Sequence, residues 1–170
     1  MSHAPLSPPA RRRGFTLAEV LIASVVVAFV SIALSQAIVI GHQQSYNALD
    51  EHRAATVAES TLERVLALPY DDPDGHTSLG PDSGETTAAD YDAIDDFHKH
   101  TETAGSLVDG TGAALPDAYQ DLALSVAIDR QTLSAPALGG DHDGLQITVS
   151  VARANGQITT LSRWVGEDGR

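Results

Sequence analysis

Arg11 to Ile40 reads RRRGFTLAEVLIASVVVAFVSIALSQAIVI, and this stretch decides the fold. Three arginines precede Gly14, Phe15 opens an apolar run, and no charged residue falls between Val20 and Ile40. Those 21 residues, at about 1.5 Å each in a helix, span roughly 30 Å, the thickness of one hydrocarbon core. The stretch predicts a single membrane-crossing helix near the N-terminus. Glu19 lies just inside its start. An ionised carboxylate beside lipid costs on the order of 2.5–3.5 kcal/mol even on lenient insertion scales, so Glu19 is a functional-site candidate in need of a partner.

Gly14-Phe15-Thr16-Leu17-Ala18-Glu19, with basic residues before it and an apolar helix after it, resembles the N-terminus of type IV pilins and type II secretion pseudopilins. The resemblance covers Arg11 to about Leu68. It implies that a prepilin peptidase cuts between Gly14 and Phe15 on the cytoplasmic side and methylates the new terminus at Phe15. It also implies that Glu19 stands at the family's glutamate, and that the partners are the peptidase, other pilin or pseudopilin subunits and the inner membrane. Major subunits of the family often carry a proline partway along the helix. None occurs here between Arg11 and Leu68, which fits a minor subunit.

The residue types have a physical logic of their own. Cleavage would leave a cationic amine at Phe15, with an ordinary pKa of about 7.7–8.0. Methylation keeps that charge. Where helices pack side by side in low dielectric, pairing this amine with Glu19 of a neighbour favours one axial register, because an unpaired charge there is penalised. The plainer alternative is that Glu19 snorkels to the headgroups of a simple anchor.

Outward from this stretch, Met1 to Gly14 forms a short leader with Pro5, Pro8 and Pro9, closed by Arg11, Arg12 and Arg13. Basic residues before one span predict the N-terminus inside and the C-terminal body outside. An ordinary signal peptide is the competing reading, with a small-x-small site at Ser35-Gln36-Ala37. Against it, the apolar run continues through Ile38, Val39 and Ile40, and Glu19 interrupts its start.

The whole chain of 170 residues carries a net charge of −13. Loss of three of its ten basic residues with the leader leaves 7 against 23 acidic, or −16. So acidic a body argues against binding a phosphate backbone, and no nucleic acid partner is predicted. There is no cysteine, hence no disulfide or thiolate site.

From Gln43 the pattern turns amphipathic. Tyr46, Leu49, Val57, Thr61, Leu62, Val65 and Leu66 recur at three- and four-residue steps. One helix from Phe15 to Leu68 would hold 54 residues and run about 80 Å. Residues 15–41 would form its membrane or filament-core half and 42–68 its amphipathic half. Gly41 is its weak point, and Pro69 ends it.

Residues 69–118 read as an acidic loop region, pinned by Tyr70, Tyr91, Ile94 and Phe97, with a short helical turn around AADYDAIDDFHKH. In the pilin family this segment is variable and often carries subunit contacts. Residues 119–170 read as antiparallel strands. Leu122, Leu124, Val126 and Ile128 alternate, as do Leu145, Ile147, Val149 and Val151. Asn155-Gly156 signals a two-residue hairpin that sets Ile147 opposite Trp164 and Val151 opposite Thr160. The expected fold is α+β: one long helix packed on a small antiparallel sheet that presents Trp164 among its inner residues.

Chemical sites are few. Asp141-His142-Asp143-Gly144 looks like the start of a calcium loop, but the twelfth position is Ala152 rather than Glu. A polar hairpin loop is the preferred reading there. His98 and His100, with Asp95 and Asp96, suggest a zinc pair lacking a third ligand. No catalytic motif and no cofactor site is expected. Two function classes remain: a filament subunit, and an anchored or secreted acidic binding module using the Asp71 to Asp96 loop or the Asp141 segment.

Overall fold

The structure, a computed structural model, describes residues 14–136 and 139–167. Arg11, Arg12 and Arg13 lie outside the described residues. The chain divides into two compact units, Met1–Tyr46 and Asn47–Arg170.

Helix α1 runs Leu17–Leu66 as 50 continuous residues and crosses the boundary between the units. It does not break at Gly41, whose carbonyl accepts a hydrogen bond from Ser45 Oγ at 2.9 Å. A glycine weakens a helix by about 1 kcal/mol, too little to interrupt one with strong formers on both sides. The helix stops short of Pro69, because the residue before a proline is pushed out of helical geometry. Leu68 N–H closes the last turn onto the Val65 carbonyl at 3.2 Å.

In the second unit the sheet comprises β1 (Thr101–Glu102), β2 (Ala123–Ala135), β3 (Gly140–Ala152) and β4 (Ile158–Gly166). The strands lie in the order β1-β2-β3-β4, all neighbours antiparallel. Together with α1 this is the expected α+β fold. One inner face carries Leu124, Val126 and Ile128 of β2 beside Val151, Val149 and Ile147 of β3. These pack with Ala54, Val57, Ala58 and Val65 of α1 and with Ile94, Phe97, Leu107, Leu122 and Leu145 in one buried cluster. The outer face is polar, with Thr148 paired to Ser162 at 3.3 Å and Ser150 to Thr160 at 3.2 Å.

Three expectations are corrected here. Tyr46 and Leu49 do not join the helix seam; both are exposed, and burial begins at Ala54. Alanines at 54 and 58 provide it, each fully buried in the cluster that includes the inner face of the sheet. The β3–β4 connection is not a two-residue turn. Arg153 N–H donates to the Gln157 carbonyl at 2.9 Å, and Gly156 N–H to the Arg153 carbonyl at 2.9 Å. Gly156 alone in this turn takes a positive φ, of 81°, so the chain uses a three-residue loop ending in a left-handed glycine. That shifts register by one, setting Ile147 opposite Arg163, Val151 opposite Thr159 and Gln146 opposite Trp164. A one-residue slip moves a side chain to the other face. Trp164 therefore lies on the outer face, its ring against Gly144 and Gly166, which pair across β3 and β4.

The loop region holds two short 3-10 turns, Ile94–Phe97 and Asp117–Tyr119. The first falls where a helical turn was expected. Phe97 is the hub of its anchoring, with Tyr91 edge-on at 4.9 Å, His100 at 5.4 Å and the Arg64 guanidinium over its face at 4.9 Å.

Candidate functional site

The first unit presents the N-terminal site. Phe15 is 86% exposed, and the apolar residues of α1 from Leu17 to Ile40 are exposed throughout. α1 is the one helix among the described residues long and apolar enough to cross a membrane. Its serines carry no unmet polarity into that surface. Ser24, Ser31 and Ser35 donate back to the carbonyls of Leu21, Val27 and Ser31 at 2.8–2.9 Å, as hydroxyls in apolar helices do.

The helix start is built by Thr16 and Glu19. Thr16 N–H donates to Glu19 Oε2 at 2.8 Å, Thr16 Oγ1 to the same oxygen at 3.1 Å, and Glu19 N–H to Thr16 Oγ1 at 3.3 Å. This is a reciprocal capping box, in which two orphan backbone N–H groups of the first turn are each satisfied by the other residue's side-chain oxygen. The carboxylate also sits where the helix dipole favours negative charge. Among the described residues both side-chain bonds fall on Oε2, and Oε1 takes none. Sequence reasoning singled out Glu19 as a charge and passed over Thr16. The signal was present, since Thr-x-x-Glu before an apolar run is a helix-start signature. Gly14, Phe15 and Glu19 are thus gathered at one helix end, with Gly14 and Phe15 extending beyond the cap.

In the second unit Asp141 and Asp143 are not in a loop. Both lie within β3, opposite Ser134 and Thr132, and Thr132 Oγ1 donates to Asp143 Oδ1 at 2.6 Å. The calcium-loop reading and the polar-hairpin reading both give way, because β2 and β3 stay paired as far as Ala135 and Gly140. The proposed histidine pair fails as well. Lys99 adopts a φ of 64°, which breaks strand-like spacing. Ile128 N–H donates to His98 Nδ1 at 3.3 Å, while His100 Nε2 lies 3.1 Å from Glu102 Oε1. Each imidazole is committed to a different partner.

The acidic loop is ordered by its own carboxylates. Asp90 Oδ2 accepts from Thr87 N–H and Thr87 Oγ1, both at 2.9 Å, and these bonds hold its carboxyl below the usual range. Buried Asp96 Oδ2 accepts from Ala93 N–H at 2.8 Å and Asp92 N–H at 3.1 Å. Burial, set against a backbone hydrogen bond, pushes the Asp95 carboxyl up, and the Asp96 charge adds to the rise. Sequence reasoning missed a further group: Asp72, His76 and Asp82 bring one ligand atom each within 4.8 Å of one another.

Residues 9–35 match the family model of the prokaryotic N-terminal methylation motif, the signature of type IV pilins and pseudopilins. The chain therefore carries a prokaryotic N-terminal methylation motif that leads into a long apolar helix. No curated protein and no solved structure matches the chain.

Proposed function

We propose that this protein is a minor pilin or pseudopilin, a structural subunit of a type IV filament or type II secretion system. The observation that carries the reading is the methylation motif at residues 9–35 leading directly into an uninterrupted α1 whose apolar surface is uncovered. In this reading residues 1–14 are the leader, and prepilin peptidase removes them by cutting after Gly14 and methylates Phe15. Residues 15–41 enter the filament core, and 42–68 form the amphipathic half of the helix. Residues 69–118 supply subunit contacts, and 119–170 form the sheet. The precursor spans the inner membrane once, N-terminus in the cytoplasm, and is a substrate of an enzyme rather than an enzyme.

Glu19 sets register in the assembly. Its Oε2 is held by Thr16, and its Oε1 remains open to the Phe15 amine of a neighbouring subunit. Preorganisation by the cap lowers the entropy lost on pairing. Ser24, Ser31 and Ser35, with their hydroxyls turned back on the helix, allow close helix approach without unmet polar groups.

Intact-mass and N-terminal peptide mass spectrometry on protein from its native membrane tests the reading. A chain beginning at Phe15 with one added methyl group is the expected result. A chain beginning at Ile38, or one keeping Arg11 to Arg13 in a cell with active prepilin peptidase, overturns it.

A further inference from the structure

Leu68 to Glu85 forms an acidic excursion with no regular structure and no disulfide to hold it. Its geometry converges on one point. Asp72 starts a tight turn: Asp74 N–H and Gly75 N–H donate to Asp72 Oδ1 at 2.6 and 3.1 Å, and Gly75 takes a φ of 79°. The turn leaves Asp72 Oδ2 facing His76 Nδ1 at 3.7 Å, and it returns His76 onto Asp82 Oδ2. Asp82 is held in turn by its own backbone, since its N–H donates to Glu85 Oε2 at 2.9 Å.

The burial is uneven in an informative way. The Asp72 side chain is only 3% exposed and that of Asp82 15%, while His76 is 52% exposed and closes the cluster from the solvent side. Among the described residues no lysine or arginine pairs with either carboxylate. Arg130, which lines the same pocket, spends a guanidinium N–H on the Thr77 carbonyl at 2.8 Å. Two carboxylates, one nearly covered and one half-buried, share a single imidazole and have no lysine or arginine to balance their charge among the described residues.

We propose that Asp72, His76 and Asp82 form a binding site for one divalent transition-metal ion of the zinc class, which staples the loop at residues 72–82. The imidazole selects the class. Nitrogen with carboxylate oxygen suits zinc, whereas calcium takes six to eight oxygen ligands. Around a tetrahedral ion, with bonds of about 2.0–2.2 Å, ligand atoms stand roughly 3.3–3.6 Å apart. The three ligand atoms here already lie within 4.8 Å of one another. Three protein ligands leave a fourth position for water, on the exposed His76 side. The site is independent of the filament reading, because it uses no residue of the N-terminal motif.

The test uses the full chain in detergent micelles, stripped with chelator, then titrated with zinc chloride while heat and Tm are followed. One equivalent of zinc binds, and Tm rises by at least about 4 °C, the scale of ligand linkage in a small domain. His76→Ala, at an exposed side chain, and Asp82→Asn, nearly isosteric, each lose the shift while melting normally without metal. Excess calcium does not reproduce it. Three outcomes overturn the proposal: no zinc-dependent heat or Tm rise in the wild type, an undiminished shift in His76→Ala, or a shift produced by calcium alone.

Discussion

Thr16 and Glu19 cap the helix reciprocally, with Glu19 Oε2 accepting from Thr16 N–H at 2.8 Å and Thr16 Oγ1 accepting from Glu19 N–H at 3.3 Å. The glutamate thus has a local role before any assembly forms. Substitution separates that role from a charge-pairing one. In Glu19→Gln an amide oxygen still accepts from Thr16, so the cap survives, but the negative charge is gone. Glu19→Ala loses both, and losing such a cap costs about 0.5–2 kcal/mol of helix stability. If Glu19 pairs with the Phe15 amine in the filament, Glu19→Gln is processed normally yet fails to enter filaments, as Glu19→Ala does. Sedimentation of sheared filaments reads this directly. Wild-type incorporation of Glu19→Gln would reduce Glu19 to a helix cap.

Val65 is fully buried where α1 meets the inner face of the sheet. A charged carboxylate there has no partner and no water. Val65→Asp is expected to unfold the second unit, since the penalty of several kcal/mol is comparable with the whole stability of a small domain. Leu49→Asp, at a side chain 47% exposed, should change stability by no more than about 0.5 kcal/mol. The emission of Trp164, the only tryptophan, followed through a urea titration of the full chain, distinguishes them. An unchanged Val65→Asp transition would contradict the packing.

The sequence carried the long helix, the α+β class and the inner faces of β2 and β3, because bulky apolar residues at fixed periods report burial on one face. It was silent where burial depends on small residues. Ala54 and Ala58 line the seam, but alanine is neutral in periodicity, so Tyr46 and Leu49 drew the seam too far toward the N-terminus. It was also silent on β1, because two residues are too short for a pattern. Asn-Gly pointed to the right turn with the wrong length, since Gly156 alone satisfies the three-residue loop. At the N-terminus, spacing identified the motif but not the cap. In the loop, Asp72, His76 and Asp82 meet only through chain reversal at Gly75, which no local period records.

Gly144 and Gly166 face each other across β3 and β4, and the Trp164 ring covers both. A methyl group at Gly144 would collide with the Val165 carbonyl and come within 2.6 Å of the indole. Gly144→Ala should therefore destabilise the second unit by about 1–3 kcal/mol, the usual cost of overpacking. It should also shift Trp164 emission, because the ring must move. Gly110→Ala is the control, since its nearest neighbour would be the flexible Arg64 Cδ at 3.5 Å. Equal urea midpoints for the two variants would argue against the outward Trp164 and the register that puts it there.

Glu102, 7% exposed, ties β1 to the loop after it. Its Oε2 accepts from Val108 N–H at 2.9 Å, and its Oε1 lies 3.1 Å from His100 Nε2. Burial works to raise this carboxyl. The His100 hydrogen bond, the Val108 N–H and the charges of His100 and Arg64 outweigh it and hold the carboxyl below its ordinary value. A depressed folded pKa means that the ionised group stabilises the fold above the unfolded value of about 4.3. That contribution is lost as pH falls through the lower folded pKa. Buried Asp95 has the opposite sign: its raised carboxyl favours folding as it protonates, so the wild-type acid limb sums opposing contributions. Comparison with Glu102→Gln isolates one of them. The variant should lose about 1.5–3 kcal/mol at pH 7, the worth of hydrogen bonds to a buried charge. The gap to wild type should narrow below about pH 4.3. Urea midpoints at pH 7, 5 and 3.5 measure it, and a gap constant across that range would show that the Glu102 charge contributes nothing to the fold.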